Sequence, residues 1–482
     1  LIFISIIYLD LINLFPIIMK LILNSILLAV ILLGCNPPNR PNVVLIMADD
    51  MGFGDLGSYN PNAGVPTPHM DAITSEGMRF TNAHSPSAVC TPTRYGLLTG
   101  RYAWRLPILE SGVTEGYSPL VIDTNRTTIA DIMSEAGYRT AAIGKWHLGL
   151  GVEDSTNYDE PITPGPRSLG FDYFYGIPAS LDMAPYVWVE NESTTSPATI
   201  YAENPVGCCI SSFWRSGPAA SDFDHSDVLP EITKRASDYI RASANQNAPF
   251  FLYVPLAAPH TPWFPSEEFS GISEAGEYGD FVAMVDHAIG EISSALEESN
   301  QIENTLLIVT SDNGAYWPIE QSSRFAHQPN SPWRGQKADI HEGGHRVPFI
   351  ARWPGTIEAN SSTNELSVLT DLFATLADIT NIGHIGGEDS FSLYPVFLGG
   401  ETARKEAVHQ SFHGMLAITQ DEWKLIDGQG SGGFTAIDIP PDSPPRQLYN
   451  LNDDPAERIN LYRTHPDIAA TLLAKLDSLR SQ

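Results

Sequence analysis

Cysteine is scarce in this chain: four in 482 residues. Cys208 and Cys209 are adjacent, Cys35 follows an apolar stretch and Cys90 has no obvious counterpart, so no disulfide framework is expected. Whether Cys208 and Cys209 join as a vicinal disulfide or stay reduced is open at this level. Positive charge is short as well, with 27 Lys and Arg against 57 Asp and Glu and a formal net charge of −30. Such a surface repels phosphate backbones and anionic headgroups, which excludes nucleic acid and charged membrane surfaces as ligands of the overall field. An anionic substrate would have to be drawn in by a local cluster of cations in a cleft. Internal repeats and long low-complexity segments are absent, which excludes solenoids and free linkers. What is present, 43% hydrophobic and 10% aromatic residues, suits a folded body of one large or two modest domains.

Residues 1–34 are nearly uncharged, and from Met19 they read MKLILNSILLAVILLGC. One Lys, an apolar core and a small residue before Cys35 have the form of a bacterial export signal with lipidation at Cys35. A transmembrane anchor is the competing reading, since the apolar region from Leu1 is long. Met19 opens a well-formed signal and is a candidate true start. Loss of residues 1–34 removes Asp10 and Lys20 together, so the expected mature charge is unchanged. The expected location is exported and surface-anchored in an outer membrane, or else periplasmic or secreted, with membrane contact through the lipid alone.

Short apolar runs at Val43 to Ala48, Thr140 to Ile143, Phe250 to Val254, Leu306 to Thr310 and Pro348 to Ala351 alternate with helical patterns at Thr128 to Ala136, Asp227 to Ala244 and Phe281 to Leu296. This texture predicts parallel strands buried on both faces, an α/β architecture with helices on both sides of a mostly parallel sheet. After about residue 395 short alternating runs and a final helix, Asp467 to Leu479, predict a small antiparallel subdomain. The expected division is a leader over 1–34, a catalytic domain over 35–395 and an α+β subdomain over 396–482.

Open parallel sheets bind ligands beyond the carboxyl ends of their strands. Here those ends are charged: Asp49 and Asp50, Lys145 and His147, His260, Asp312 and Asn313. Any one of them could be a turn or cap residue; together on one rim they suggest a site. Asp49, Asp50, Asp312 and Asn313 offer hard oxygen donors, which favour Ca²⁺ or Mg²⁺ over zinc. Arg94, Lys145, His147, His260 and Lys337 would form an anion-binding group beside the metal. Pro92 suits a first helical turn, which puts Cys90 at a helix N-terminus and Arg94 one turn along the same face. That thiol reads either as an inert buried cysteine or as a thiolate nucleophile with a lowered pKa.

Cys90-Thr91-Pro92-Thr93-Arg94 followed by Leu98-Thr99-Gly100-Arg101 resembles the signature of the formylglycine-dependent (type I) sulfatases of the alkaline phosphatase superfamily. GKWHLG (144–149), APH (258–260), SDNG (311–314) and the block GQK…HEGGHRVP (335–348) follow in family order, and the resemblance covers roughly 41–460. It implies that Cys90 is converted by a maturation enzyme to formylglycine (3-oxoalanine), and that Asp49, Asp50, Asp312, Asn313 and modified Cys90 hold one Ca²⁺. Arg94, Lys145, His147, His260 and Lys337 match catalytic and sulfate-binding positions. Its mechanism implies attack of a residue-90 hydroxyl on sulfur, leaving-group protonation by His260 with Lys337, and proton removal by His147 to expel sulfate. His345 departs from the family pattern, which usually has an aliphatic or small residue there.

The resemblance implies a sulfuric ester hydrolase, most naturally acting on a sulfated polysaccharide or oligosaccharide. Trp104, Arg105, Trp214, Arg215, Trp317, His327, Trp333 and His413 are candidates for sugar subsites, because aromatic faces suit sugar rings and guanidinium suits anions. Two alternatives stay open: a phosphomonoester, phosphodiester or phosphonate hydrolase of the same superfamily, and a noncatalytic lipoprotein that binds sulfated glycans.

Overall fold

Asn42–Ala48 is a strand of seven residues, all buried. Its alternate side chains serve two cores: Val43, Leu45 and Met47 enter one, Val44, Ile46 and Ala48 the other. That division is what a period of two demands of a strand covered on both faces. The structure is a computed structural model that describes residues 40–152, 155–204, 212–383 and 385–481. The expected leader, the lipidation site Cys35 and the pair Cys208 and Cys209 lie outside the described residues. Among the described residues no helix is long and apolar enough to cross a membrane.

The large sheet has ten strands: β1 (Asn42–Ala48), β2 (Met78–Phe80), β3 (Arg139–Lys145), β4 (Tyr173–Ile177), β5 (Val189–Glu190), β6 (Ser193–Thr194), β7 (Phe250–Pro255), β8 (Thr305–Ser311), β9 (Phe349–Arg352) and β10 (Ser361–Thr363). Their spatial order is β10-β2-β9-β8-β1-β7-β3-β4-β5-β6. The five central strands, β8 to β4, run parallel, with Val43 beside both Phe251 and Leu306. The expectation that the run near Pro348 to Ala351 is parallel fails, because β9 is antiparallel to β8. After β8 the chain builds the rim loop that carries Lys337 and re-enters the sheet from that same end, with no crossover to reverse it.

One face is covered by α2 (Cys90–Thr99), α3 (Ile129–Glu135) and α6 (Asp371–Thr380), through Leu97, Ile132 and Phe373 among others. The other is covered by α1 (Pro68–Glu76), α4 (Val228–Ser243) and α5 (Gly276–Glu298), through Met70, Ile232 and Val285. A four-stranded antiparallel sheet follows: β11 (Glu406–Gln410), β12 (Leu416–Gln420), β13 (Trp423–Ile426) and β14 (Gln447–Asn450). Its core of Val408, Ile418, Leu425 and Leu448 is closed by Leu472 and Leu476 of α7 (Pro466–Arg480). Asn42–Gln482 forms one compact unit.

The small sheet packs on segments flanking the large one through a buried polar cluster. Lys424 Nζ lies 3.0 Å from Glu342 Oε1 and 3.0 Å from Glu457 Oε1. It is also 3.0 Å from His345 Nε2, and His345 Nδ1 is 3.1 Å from His84 Nδ1. The departure at His345 therefore links the small sheet to the segments that follow β2 and precede β9. His345 and His409 stack with centroids 3.9 Å apart and planes 10° from parallel. Ring lone pairs lie in the ring plane, so parallel stacked imidazoles do not converge on one ion, and the Lys424 ammonium adds repulsion. His84, His345 and His409 are a packing device.

Candidate active site

Each parallel strand delivers a polar residue to its carboxyl end. β1 runs into Asp49 and Asp50, β3 ends in Lys145 with His147 two residues on, β8 runs into Asp312 and Asn313, and His260 follows β7. Asp50 and His147 adopt left-handed backbone, with φ of 68° and 57°. For residues with a Cβ this is disfavoured by about 1–3 kcal/mol, and such geometry concentrates where a side chain must be aimed. Cys90 is the first residue of α2, which is buried along its whole length and ends on Gly100 at φ 64°, a left-handed cap. Arg94, one turn on, donates from Nη2 to Asp312 Oδ2 at 2.8 Å and from Nη1 to the Lys145 carbonyl at 2.7 Å.

Together these groups form one cluster. Cys90 Sγ is 3.5 Å from Asp49 Oδ1. Lys145 Nζ donates to Asp49 Oδ2 at 2.5 Å and to Ser180 Oγ at 3.1 Å. Lys337 Nζ lies 2.8 Å from Asp50 Oδ2, and Asn313 Nδ2 lies 2.6 Å from Asp50 Oδ1. His260 Nε2 is 3.7 Å from Asp50 Oδ2 and 3.2 Å from Ser180 Oγ, while its Nδ1 donates to the Thr261 carbonyl at 2.5 Å. His147 Nε2 donates to the Thr114 carbonyl at 2.9 Å, which leaves Nδ1 as the lone-pair nitrogen, buried and without a hydrogen-bond partner. Asp49, Asp50, Cys90 and His260 each offer an atom within 4.8 Å of the others, a grouping able to surround an ion.

Charge in the cluster is nearly balanced, with Asp49, Asp50 and Asp312 against Arg94, Lys145 and Lys337. Burial pushes the Asp49 carboxyl up, but Lys145, His260 and Arg94 together hold it well below the usual range. Asp312 is raised to about 7 by burial and by the charge of Asp49. His147 is held well below an ordinary imidazole by burial, Lys145 and Arg94, and His260 is lowered by burial and Lys337. Burial pushes the Cys90 thiol up, and the attraction of Lys145 and Lys337 does not offset it. Burial thus disfavours a plain thiolate at residue 90 despite the helix N-terminus.

Above the cluster opens a cavity of about 600 Å³, whose walls include Asp50, Cys90, His147, His260 and Lys337. Of the sugar-subsite candidates, Arg215 alone lies on this wall; the other seven are absent from it. Trp104 stacks on Tyr102 and carries the Arg105 guanidinium 4.6 Å from its ring centre. Arg105 is tied to Asp389 at 2.7 Å. His327 Nε2 bonds Asp55 Oδ1 at 2.8 Å, and Trp317 packs on Tyr278 and Phe325. Trp214 stacks on His225, Trp333 lies under the Arg346 guanidinium, and His413 is an exposed neighbour of Phe412. Trp317 and Trp333 line a separate cavity of about 380 Å³. Wall residues absent from the sequence reading include Asp182, Phe213, Tyr316, Phe412 and Phe434.

A mostly parallel sheet with acids and cations at the carboxyl rim around a helix-terminal Cys90 defines an alkaline phosphatase-like hydrolase of anionic esters. The family model described as Sulfatase matches residues 41–382. An N-acetylgalactosamine-6-O-sulfatase of Bacteroides thetaiotaomicron is 34% identical, over 94% of this chain and 97% of that protein. Human arylsulfatase A is 32% identical, over 91% of this chain and 86% of its own length. A solved structure from work on glycosaminoglycan metabolism by Bacteroides thetaiotaomicron superposes with a TM-score of 0.82 at 33% identity, covering 92% of this chain and 100% of that one. The chain belongs to the sulfatase family, and its reaction class is sulfuric ester hydrolysis.

Proposed function

We propose that this protein is an exported sulfatase that removes sulfate from a hexosamine of a sulfated glycosaminoglycan or related polysaccharide. The observation that carries the reading is the cavity floor, where Cys90 stands among three carboxylates and three permanent cations. The sugar is supported by the names of the relatives, including the N-acetylgalactosamine-6-O-sulfatase. Export and a lipid on Cys35 are supported by the form of residues 19–35.

The donor set suits a hard divalent cation, calcium in this reading, held by Asp49, Asp50, Asp312, Asn313 and residue 90. Asn313 Oδ1 is buried without a hydrogen-bond donor, and burial with the neighbouring Asp49 raises Asp312 despite its pair with Arg94. When bound, the ion would polarise the sulfate oxygens and make a hydroxyl on residue 90 more acidic. Conversion of Cys90 to formylglycine would supply one hydroxyl of the aldehyde hydrate to attack sulfur and a second whose deprotonation expels sulfate.

The chain's own groups divide the remaining work. Lys145 and Lys337 bind the ester oxygens, and their ammonium groups offset charge that moves onto the leaving oxygen. Arg94 holds Asp312 and lies 3.7 Å from Asp49, fixing the acids in place. His147 is kept neutral, with Nδ1 free to take the proton of the second hydroxyl. His260 bonds Thr261 through Nδ1, so Nε2 is the nitrogen that delivers a proton to the leaving alcohol, and the arriving sulfate's negative charge counters Lys337 and favours that protonation. General acid help of this kind contributes about 10²- to 10⁴-fold.

The test is sulfate release from a panel of monosulfated hexosamines and paired aryl sulfate and phosphate esters, with mass spectrometry of the peptide that contains residue 90. The expected result is an aldehyde at residue 90, sulfate release from a hexosamine ester, and loss of turnover in Cys90→Ser. A fully active enzyme with an unaltered thiol, or faster phosphate than sulfate release, would overturn the reading.

A further inference from the structure

We infer that Asp182 reads a neutral hydroxyl on the sugar ring that bears the scissile sulfate, with Arg215 holding the carboxylate in place. The inference rests on the proposed sugar substrate and deepens it. Asp182 follows β4, is 6% exposed and lies on the wall of the cavity that Cys90, His147, His260 and Lys337 also line. Its Oδ2 pairs with Arg215 Nη1, and its carbonyl accepts from the Arg215 backbone N–H at 3.0 Å. Its Oδ1 is buried and accepts no hydrogen bond.

A stabilising role alone does not account for this arrangement. The Arg215 side chain is 50% exposed, and an ion pair with so wet a member contributes little. The bare oxygen costs stability, because a buried acceptor without a donor forfeits its solvation. It is an acceptor aimed at ligand space, held ionised by His260, Arg215 and Lys337 against the opposing effect of burial.

Its sign decides what it accepts. The floor of the site attracts the sulfate, whereas a second anion on the same face of the ring, a carboxylate or another sulfate, would be repelled by Asp182. A hydroxyl donates to it. The aromatic rings fit the same ligand: Phe412 and Phe434 lie 5.4 Å apart, Tyr316 is 5.9 Å from Phe434, and Phe213 and Phe434 are 41% and 46% exposed at the cavity. Such faces suit the C–H side of a pyranose. The cavity therefore takes a ring that is apolar on one side, hydroxylated towards Asp182 and monoanionic through its scissile sulfate.

The test compares the best monosulfated hexosamine with its monodeoxy analogues, one ring hydroxyl removed at a time. Wild-type enzyme should lose about 10- to 100-fold in kcat/KM for one analogue, the factor expected for a hydrogen bond to a charged group. That discrimination should collapse in Asp182→Ala and weaken in Arg215→Ala, whose half-exposed side chain can be removed without opening a core. Wild-type rates within about threefold for every analogue, or full discrimination retained in either variant, would overturn the assignment. These results are distinct from failure of the sulfatase reading, in which the wild type releases no sulfate from any sugar ester and this inference falls with it.

Discussion

Replacing Lys424 by Met should cost stability by an amount that depends on pH in a specified direction. Lys424 is fully buried in β13, and its ammonium bridges Glu342 and Glu457 at 3.0 Å each. Met keeps the stem and removes the charge. Glu342 then retains Arg346 at 2.9 Å, and Glu457 retains the Glu342 backbone N–H at 2.7 Å, so two buried carboxylates share one cation. Breaking a buried pair in this way costs about 3–5 kcal/mol. In the wild type, burial pushes Glu342 up but Lys424 and neighbouring cations hold it low, while Glu457 is raised to about 7 by burial and by Glu342 despite Lys424. Removing Lys424 raises both carboxyls, Glu457 further above the unfolded value of 4.5 and Glu342 up from its depressed position. A carboxyl raised in the folded state binds its proton more tightly there, so its penalty is fully present above the folded pKa and relieved as pH falls towards the unfolded one. The deficit between variant and wild type should therefore be largest near pH 8 and narrow towards pH 5, as read by paired thermal or urea unfolding. Lys424→Met/Glu457→Gln should recover about 1–3 kcal/mol at the higher pH. A deficit below about 1 kcal/mol at pH 8, the scale of an exposed pair, or one that widens in acid, would refute the reasoning.

Arg105→Ala should lower the melting temperature by breaking the Asp389 pair while kcat/KM for sulfate esters stays within about twofold, as for a change remote from the cavity; a selective loss of activity would restore Arg105 to the substrate path. The buried His84, His345 and His409 are all held below 6.5, His409 at about 3, chiefly by burial. The unfolded chain thus takes up protons below pH 6.5 that the folded chain refuses, and stability should fall by about 2 kcal/mol per histidine by pH 5. Glu457 and Asp312, both raised to about 7, oppose this, and His409→Gln should flatten the acid limb by about one proton; an unchanged slope in pH-dependent melts would remove the histidines from the account. Chelation of divalent ions should abolish turnover and lower the melting temperature, with calcium restoring both and zinc neither, as expected for an oxygen-donor set; equal recovery with zinc would contradict that donor reading.

The catalytic cluster could be found from sequence because a parallel sheet gathers the ends of separate strands on one rim. Asp49, Lys145 and Asp312, far apart in the chain, are within two contacts of one another through Arg94. The same rule would have found Ser180 and Asp182 had β4 been read as a strand. Its sequence, YFYGI, is short and holds Gly176, which allows the Gly144 carbonyl to pass 1.7 Å from where a Cβ would stand. Strand direction is also invisible in an apolar run, so β9 was misread as parallel. The subsite candidates were hard to place for a different reason: Trp104, Trp317 and Trp333 look like sugar platforms by type, but composition does not reveal which ring faces which cavity, and these three lie away from the wall around Cys90. The aromatics on the cavity wall, Tyr316, Phe412 and Phe434, lie outside the regular strands and helices, where no periodicity marks them.

The small sheet does more than close a core. Ala88, next but one before Cys90, donates to the Gln410 carbonyl, Ala338 beside Lys337 donates to the Ala88 carbonyl, and Phe412 donates to the Ala338 carbonyl. Two connectors of that sheet, after Gln410 and after Ile426, supply Phe412 and Phe434 to the entrance. Lengthening or shortening the connector after Ile426 would reshape the cavity wall while leaving the polar groups at the strand ends in place. One set of polar groups at the strand ends can thus stand behind differently shaped walls.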